Sequence, residues 1–278
     1  MKLADLVALT KPRISILNVA TTAVGLALAG GASRLVTFCT LVGTLLLVGS
    51  ANTLNQYLER EVDAKMKRTR NRPLPSGRLA PGTALGLGIG QAAIAVPMLS
   101  FGANALTGLL GAVALLLYVL VYTPLKQKSL YALHVGAIPG AMPPLLGWTA
   151  ASGAVTPAAL ALFGVVFFWQ IPHFLALAIA QREDYAAAGI KVMPVVRGTD
   201  HTRRAIVAYL LLQLMATLAL VPLGIGGPPY LIGAALLGAS LCGWGFYGLR
   251  GGGNRWARGL FLASIAYLPV LFGLMLVS

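Results

Sequence analysis

The chain has 278 residues, of which 58% are hydrophobic and only 10% are charged, and its formal net charge is +14. A soluble domain carries about 25% charged residues, so the composition excludes a soluble enzyme and predicts an integral membrane protein. The positive charge does not indicate nucleic-acid binding, because basic loop residues set the topology of membrane proteins.

Apolar stretches, taken in chain order, predict nine transmembrane helices. A helix crosses the hydrocarbon core with roughly 20 apolar residues and satisfies its own backbone hydrogen bonds there. The predicted spans cover residues 13–31, 35–57, 82–100, 104–122, 132–151, 157–180, 203–222, 229–249 and 257–276. They leave no room for a soluble domain, so we expect a single integral-membrane domain over residues 1–278.

Basic residues fall almost entirely on one side of this nine-span arrangement. Of the 21 Lys and Arg residues, all but Arg34 lie on the N-terminal side. The positive-inside rule then predicts a cytoplasmic N-terminus, cytoplasmic loops at 58–81 and 181–202, and a C-terminus across the cell inner membrane. Cys39 and Cys242 fall within spans and are expected to be buried hydrophobic residues.

Acidic residues concentrate around the same two long loops. Asn55, Glu59 and Asp63 are spaced i, i+4, i+8, so they share one face if the second span continues as a helix. We call these three residues the ladder. An amide and two carboxylates are suitable oxygen ligands for Mg²⁺, which shares its octahedron with waters and substrate phosphates. Glu61 points elsewhere and is expected to be solvated or paired with a base.

Basic residues near the ladder are candidates for binding a diphosphate. Arg68 and Arg72 follow the ladder directly, and the planar guanidinium group suits phosphate oxygens. Lys126 and Lys128 lie between spans four and five and offer point charges. A loop that only sets topology also explains these basic residues, but it does not explain the ladder at the membrane boundary.

The ladder and the residues after it resemble the first aspartate-rich motif of the UbiA superfamily of intramembrane prenyltransferases. The residues that carry this resemblance are Asn55, Glu59, Asp63, Arg68, Thr69, Arg72, Pro73 and Leu74. Glu59, the Pro-His-Phe element around His173 and the Asp184-Tyr185 pair are similar to the protohaem IX farnesyltransferase (haem O synthase) branch.

This resemblance implies a fold, a reaction and a set of partners. The fold is an all-α polytopic membrane protein with nine transmembrane helices in a UbiA-like bundle around a central cavity. The reaction transfers farnesyl from farnesyl diphosphate to a vinyl group of haem B, giving haem O for terminal oxidases. Mg²⁺ is the implied cofactor, and both substrates bind within the lipid bilayer. A haem A synthase or an oxidase-assembly protein is an implied partner, and no nucleic acid is.

The resemblance also assigns roles to individual residues. The metal ligands are Asn55, Glu59, Asp63 and Asp184. The diphosphate ligands are Arg68, Arg72, Lys126 and Lys128. The catalytic residues are Asp63, Asp184 and Lys126, and the haem ligands are His173 and His134. One departure from the superfamily pattern is Ala188, four residues after Asp184, which leaves a second metal site with fewer carboxylates.

Three other functions stay open at this level. A related UbiA-type enzyme prenylates an aromatic acid or a quinone precursor with the same metal chemistry, although the Pro-His-Phe element disfavours it. A membrane transporter also has polar groups within its spans, although the acidic residues here cluster on one face and not at the bilayer midplane. A haem-binding chaperone would carry haem without catalysis.

Overall fold

The computed structural model describes residues 2–278 and contains only helices, turns and loops in that range. The expected all-α class is confirmed. In chain order the α-helices are α1 (Leu3–Leu9), α2 (Pro12–Leu28), α3 (Arg34–Asp63), α4 (Pro81–Gly102), α5 (Ala105–Leu116), α6 (Thr123–Leu125), α7 (Ala132–Ser152), α8 (Pro157–Ala180), α9 (Arg182–Ala187), α10 (Met193–Val196), α11 (Thr199–Leu218), α12 (Pro228–Leu249) and α13 (Asn254–Val277). A π-helix, Leu117–Tyr122, joins α5 to α6, and a 3₁₀ turn, Val221–Leu223, follows α11.

Seven helical stretches within residues 2–278 are long and apolar enough to cross a membrane. One of them runs through α5, the π-helix and α6 as Ala105–Leu125. The other two predicted spans are also helical, as the 17-residue α2 and the 21-residue α7, but neither belongs to the seven. The predicted count of nine is therefore not confirmed. Cys39 and Cys242 are buried and free, as expected.

The second predicted span is longer than the sequence indicated. It was expected to end near residue 57, but α3 has 30 residues and ends at Asp63. Because roughly 20 residues cross the hydrocarbon core, its last turns extend past the apolar span. The helix begins after Ser33, whose hydroxyl accepts a hydrogen bond from the Val36 N–H at 3.3 Å. The whole ladder is therefore helical, which is the condition for its residues to share a face.

The helices form two compact units. The first unit comprises residues 2–155 together with 187–189. Within it α3 packs against α4, and α2 packs against α7. A Cβ atom on Gly25 would overlap Pro144 of α7, and one on Gly147 would overlap Thr22 of α2. Small residues at these two positions let the backbones of α2 and α7 touch.

The second unit comprises residues 156–186 and 190–278. Its helix α8 packs against α11 and α13, and α12 packs against both α11 and α13. One hydrogen bond between α8 and α13 uses a side chain and a backbone carbonyl group. The indole N–H of Trp169 donates to the Ser264 carbonyl oxygen at 2.8 Å. The expectation of one domain over the whole chain stays a prediction.

Candidate functional site

The ladder lies at the C-terminal end of α3 with its three side chains almost fully buried. The exposed fractions are 3% for Asn55, 4% for Glu59 and 4% for Asp63. Glu61 lies off this face, because its side chain is 83% exposed and forms an ion pair with Arg60 at 3.4 Å. Buried carboxylates are costly unless they are paired, so the partners of Glu59 and Asp63 define the site.

Each ladder carboxylate has a cationic partner from a different segment. Nζ of Lys126 lies 3.1 Å and 3.2 Å from the two carboxylate oxygens of Glu59. Nη1 of Arg72 donates to Oδ2 of Asp63 at 2.6 Å. The turn after α3 brings Arg72 back to the helix end, where the Thr69 hydroxyl donates to the Asp63 carbonyl oxygen at 2.8 Å. Two of the four predicted diphosphate ligands therefore meet the ladder.

The other two predicted diphosphate ligands do not meet the ladder. Arg68 and Lys128 are exposed. Within residues 2–278 neither side chain forms a hydrogen bond or an ion pair with the ladder. Arg68 is four residues from Arg72, and Lys128 is two residues from Lys126. This proximity in sequence does not bring either side chain to the buried face of the ladder. Their predicted role stays a prediction.

Thr123 fixes the orientation of the Asn55 side-chain amide. The Thr123 hydroxyl donates its one hydrogen to the Tyr118 carbonyl oxygen at 2.8 Å. It can therefore only accept from Asn55, whose Nδ2 lies 3.1 Å from the Thr123 hydroxyl oxygen. The amide nitrogen faces Thr123, which leaves Oδ1 of Asn55 as the atom able to bind a cation.

The position of Thr123 follows from the π-helix before it. Leu117–Tyr122 is wound more loosely than an α-helix, and such segments are frequent at functional sites. Thr123 was not among the residues with a predicted role. The only signal in the sequence was its place between the apolar span and the Lys126 loop.

Lys11 is a second residue of the site, and from its sequence position it was expected only to be able to reach the phosphates or the haem propionates. Its backbone has φ 48° and ψ 66°, a left-handed conformation that is uncommon outside glycine. Two amides of α3 hold the preceding carbonyl groups. Nε2 of Gln56 donates to the Leu9 carbonyl oxygen at 2.7 Å, and Nδ2 of Asn52 donates to that of Thr10 at 3.4 Å. The surrounding structure therefore imposes this conformation, as it does at other strained functional positions.

The charge of Lys11 is coupled to the ladder and to its basic partners. Burial, and then the positive charges of Arg72 and Lys126, lower the pKa of Lys11 from its usual 10.5 to about 7, against the opposing effect of Glu59 and Asp63. We call these five residues the acid–base cluster. Two carboxylates face three bases, so the cluster carries a net positive charge whenever Lys11 is protonated, and it can attract an anion.

The donor set of the ladder fits a cation that takes part of its coordination from elsewhere. No three His, Cys, Asp or Glu side chains gather into a metal site within the described range 2–278. The ladder supplies two carboxylates and one amide oxygen. Mg²⁺ commonly binds through one or two carboxylates and completes its octahedron with waters and phosphate oxygens.

The second acidic segment is more sparsely built. Asp184 lies in α9 and is half-buried, and Glu183 beside it is exposed. Both residues belong to the second unit, whereas the ladder belongs to the first. The predicted role of Asp184 as a metal ligand and catalytic residue stays a prediction.

His173 lies within an aromatic sandwich in the second unit. Its ring stacks between Trp169 at 4.8 Å and Phe261 at 4.5 Å, measured between ring centroids. The Ser264 hydroxyl donates to the Phe261 carbonyl oxygen at 2.7 Å. Nδ1 of His173, 2.7 Å from the Ser264 oxygen, must therefore carry the hydrogen, and Nε2 keeps its lone pair. This tautomer is the one that can bind a metal through Nε2.

His134, the other predicted haem ligand, lies in the first unit on α7. It is half-buried, and its ring centroid lies 6.4 Å from that of Tyr131 at an interplanar angle of 47°. The haem-ligand role of both histidines stays a prediction.

Known protein sequences resemble this chain over most of its length. The profile of the UbiA prenyltransferase family matches residues 18–265. A protein from Anaeromyxobacter dehalogenans (strain 2CP-C) named protoheme IX farnesyltransferase is 52% identical, covering 97% of this chain and 92% of that protein. A protein of the same name from Myxococcus xanthus (strain DK1622) is 48% identical, with 97% and 92% covered.

Solved structures share the fold at low sequence identity. A digeranylgeranylglyceryl phosphate synthase gives a TM-score of 0.84 at 14% identity, covering 99% of this chain and 97% of that one. A UbiA homolog from Archaeoglobus fulgidus, solved bound to GPP and Mg²⁺, gives a TM-score of 0.68 at 17% identity, with 98% and 99% covered. At these identities the likeness shows the fold alone, and it confirms the expected UbiA-like class.

Proposed function

Because the chain belongs to the UbiA prenyltransferase family, we propose that it transfers the farnesyl group of farnesyl diphosphate to a vinyl group of haem B. The C–O bond of the diphosphate ester breaks, a C–C bond forms at the vinyl group, water adds, and diphosphate leaves; the product is haem O, for terminal oxidases. The names of relatives that share about half of its residues support this acceptor. The observation that carries the proposal is the buried ladder with its paired bases.

Mg²⁺ is the proposed cofactor, and the ladder is its proposed site. A structural neighbour from Archaeoglobus fulgidus was solved with GPP and Mg²⁺. When bound, Mg²⁺ would neutralise the charge that develops on the leaving diphosphate. Oδ1 of Asn55 and the carboxylates of Glu59 and Asp63 form an all-oxygen donor set of the kind that this ion prefers. The ligand role of Asp184 rests on the sequence alone.

Lys126 and Arg72 are proposed to exchange partners when the diphosphate binds. Glu59 and Asp63 cannot offer all their lone pairs to a cation while these two bases hold them at 3.1 Å and 2.6 Å. Phosphate oxygens accept the same N–H donors in charge-assisted hydrogen bonds, so the diphosphate can draw both bases away. Each buried charge keeps a partner throughout, which avoids the cost of an isolated one.

The other basic residues take proposed outer positions around the diphosphate. Arg68 and Lys128 are exposed, so they would contact it only from the solvent side. Lys126 and Asp63 remain the proposed catalytic residues of the first unit. Lys126 would hold the leaving diphosphate, and Asp63 would hold the metal ion bound to it.

His173 is the proposed axial ligand of the haem iron. The hydrogen on Nδ1, fixed by Ser264, leaves Nε2 to coordinate the iron. The two stacked rings restrict rotation of the imidazole. The proposed setting is a bacterial inner membrane with the N-terminus in the cytoplasm, and a haem A synthase is a proposed downstream partner.

Production of haem O in cells tests the proposed function. A host that lacks haem O synthesis is given the wild-type chain, Asp63→Asn or Glu61→Gln, and its haems are analysed by mass spectrometry. We expect haem O with the wild-type chain and with Glu61→Gln, since Glu61 is exposed, and none with Asp63→Asn. Membranes are also incubated with labelled farnesyl diphosphate and haem, benzoate or naphthoate. Label on an aromatic acid but not on haem would overturn the proposed acceptor.

A further inference from the structure

A pocket of about 780 Å³ lies in the second unit where α12 ends and α13 begins. It contains no residue of the acid–base cluster. Its walls combine three aromatic rings, two guanidinium groups and a hydroxyl, from Trp244, Tyr247, Trp256, Arg250, Arg255 and Ser240. Both flanking helices are among those long and apolar enough to span a membrane. The pocket therefore opens at the end of two spans, at the depth of the lipid headgroups.

The floor of the pocket is closely packed. The Trp256 ring lies against the backbone of Gly248 and Gly252, where any Cβ atom would overlap it. Its indole N–H donates to the Trp244 carbonyl oxygen at 2.9 Å. A Cβ atom on Gly259 would overlap the Trp244 ring in the same way. The two indoles therefore tie α12 to α13.

The two arginines of the pocket lack an acidic partner. The last acidic residue of the chain is Asp200, and it pairs with Arg203 at 2.6 Å. No Asp or Glu follows it in α12, the turn or α13. Arg250 and Arg255 are exposed and form no ion pair within the described chain. Two guanidinium groups that line one pocket without an internal counter-ion are suited to a phosphate.

The aromatic residues indicate where this phosphate comes from. Trp244 is 41% exposed and Tyr247 is 67% exposed, so both rings face outward at the end of α12. Trp and Tyr occupy the membrane–water interface, where the apolar ring meets acyl chains and the polar tip meets headgroups. Basic pockets between transmembrane helices on the cytoplasmic side bind anionic lipid headgroups.

We propose that this pocket binds the headgroup of an anionic phospholipid. The phosphate lies between Arg250 and Arg255, and the upper acyl chains pack on Trp244 and Tyr247. The lipid would fasten the α12–α13 turn to the cytoplasmic leaflet. This pocket shares no residue with the proposed prenyl-transfer site, so the proposal does not depend on that function.

Quenching of tryptophan fluorescence by brominated lipids tests the proposal. The wild-type protein is placed in phosphatidylcholine nanodiscs and titrated with phosphatidylglycerol or phosphatidylcholine that carries brominated chains. We expect half-maximal quenching at a mole fraction of phosphatidylglycerol about 30-fold lower than that of phosphatidylcholine. This factor corresponds to about 1 kcal/mol for each of the two arginines near the headgroup. Trp244→Phe should remove most of the preferentially quenched signal.

Charge variants test whether the preference for phosphatidylglycerol over phosphatidylcholine arises at the pocket. Arg250→Gln combined with Arg255→Gln should abolish it, while Arg258→Gln, which changes an exposed arginine of the same turn region outside the pocket, should preserve it. Helical circular dichroism confirms that each variant is folded. Equal quenching by the two wild-type lipids, or an equal loss in Arg258→Gln, would overturn the proposal. Competition by millimolar glycerol phosphate would identify a soluble anion and overturn the lipid assignment.

Discussion

The two acidic segments of the chain are similar in composition but differ in construction. At the end of α3, Glu59 and Asp63 are held on one face of a 30-residue helix, and each pairs with a base from another segment. In the six-residue α9, Glu183 is exposed and Asp184 is half-buried. The difference shows how a long helix can place two carboxylates on one buried face, where bases from other segments reach them. The proposed metal chemistry therefore depends mainly on the first segment.

The largest expected effect compares a carboxylate from each segment. Asp63→Asn should lower the rate of farnesyl transfer by roughly 1000-fold, about 4 kcal/mol, because it removes a charged ligand of the ion that stabilises the leaving group. Asp184→Asn should lower the same rate of farnesyl transfer by only roughly 10-fold. Turnover of labelled farnesyl diphosphate with haem measures both effects.

Glu61→Gln is the matched control for this comparison, since it removes an exposed charge from the same turn of α3. It should stay within about twofold of the wild-type rate, as expected for an exposed ion pair. Equal losses in Asp63→Asn and Asp184→Asn would show that both acidic segments contribute alike.

The next effect concerns the partner exchange proposed for Lys126. Lys126→Gln removes the cation that holds Glu59, so Mn²⁺, used as a spectroscopic substitute for Mg²⁺, should bind the diphosphate-free protein about 5-fold more tightly. In the presence of inorganic diphosphate the same variant should bind Mn²⁺ more weakly than the wild type. Electron paramagnetic resonance of free Mn²⁺ gives both affinities.

Lys128→Gln is the control for this sign reversal, because it removes an exposed charge two residues away. It should leave the metal affinity unchanged in the absence of diphosphate. Weaker Mn²⁺ binding by Lys126→Gln under both conditions would contradict the exchange of partners.

A smaller effect is expected at Thr123. Thr123→Val keeps the shape of the side chain but removes the acceptor of the Asn55 amide, so the amide can turn its nitrogen toward the cation. Loss of such an orienting contact typically lowers metal affinity 10–100-fold, and for Thr123→Val we expect a loss of about 10-fold. Thr123→Ser keeps the hydroxyl and should restore the metal affinity. If Thr123 served only in apolar packing, the valine variant would instead bind the metal more tightly than the serine variant.

The smallest effect is a shift in the titration of Lys11. Its pKa of about 7 predicts that its amine is mostly neutral at pH 8 and reacts with acetic anhydride there, unlike an ordinary lysine. Arg72→Gln removes a neighbouring positive charge, so the charged amine is favoured and the pKa rises. Glu59→Gln removes an opposing negative charge, so the pKa falls further. Labelling followed by mass spectrometry across pH 5–10 measures the midpoints, and an unshifted midpoint near 10.5 would contradict the cluster.

The ladder could be predicted from the sequence, because the period of the α-helix alone places residues 55, 59 and 63 on one face. The role of Thr123 could not be predicted, since it depends on which segment packs against α3. It also depends on which acceptor takes the hydrogen bond that the Thr123 hydroxyl donates. The backbone of Lys11 could not be predicted either, because its conformation is imposed by amides more than 40 positions along the chain. The predicted number of spans is not confirmed, because α2 and α7 are helical but are not among the helices that are long and apolar enough to cross a membrane.

The π-helix at Leu117–Tyr122 contains one residue more than an α-helix would need to reach the same point. Removing one of its apolar residues would allow a continuous α-helix from α5 into α6, with the hydropathy of the span nearly unchanged. Each α-helical residue turns the chain by about 100°, and the wider π-helical turn already absorbs that rotation for the surplus residue. Thr123 and Lys126 would therefore keep facing α3, so the site should tolerate a one-residue deletion in this segment.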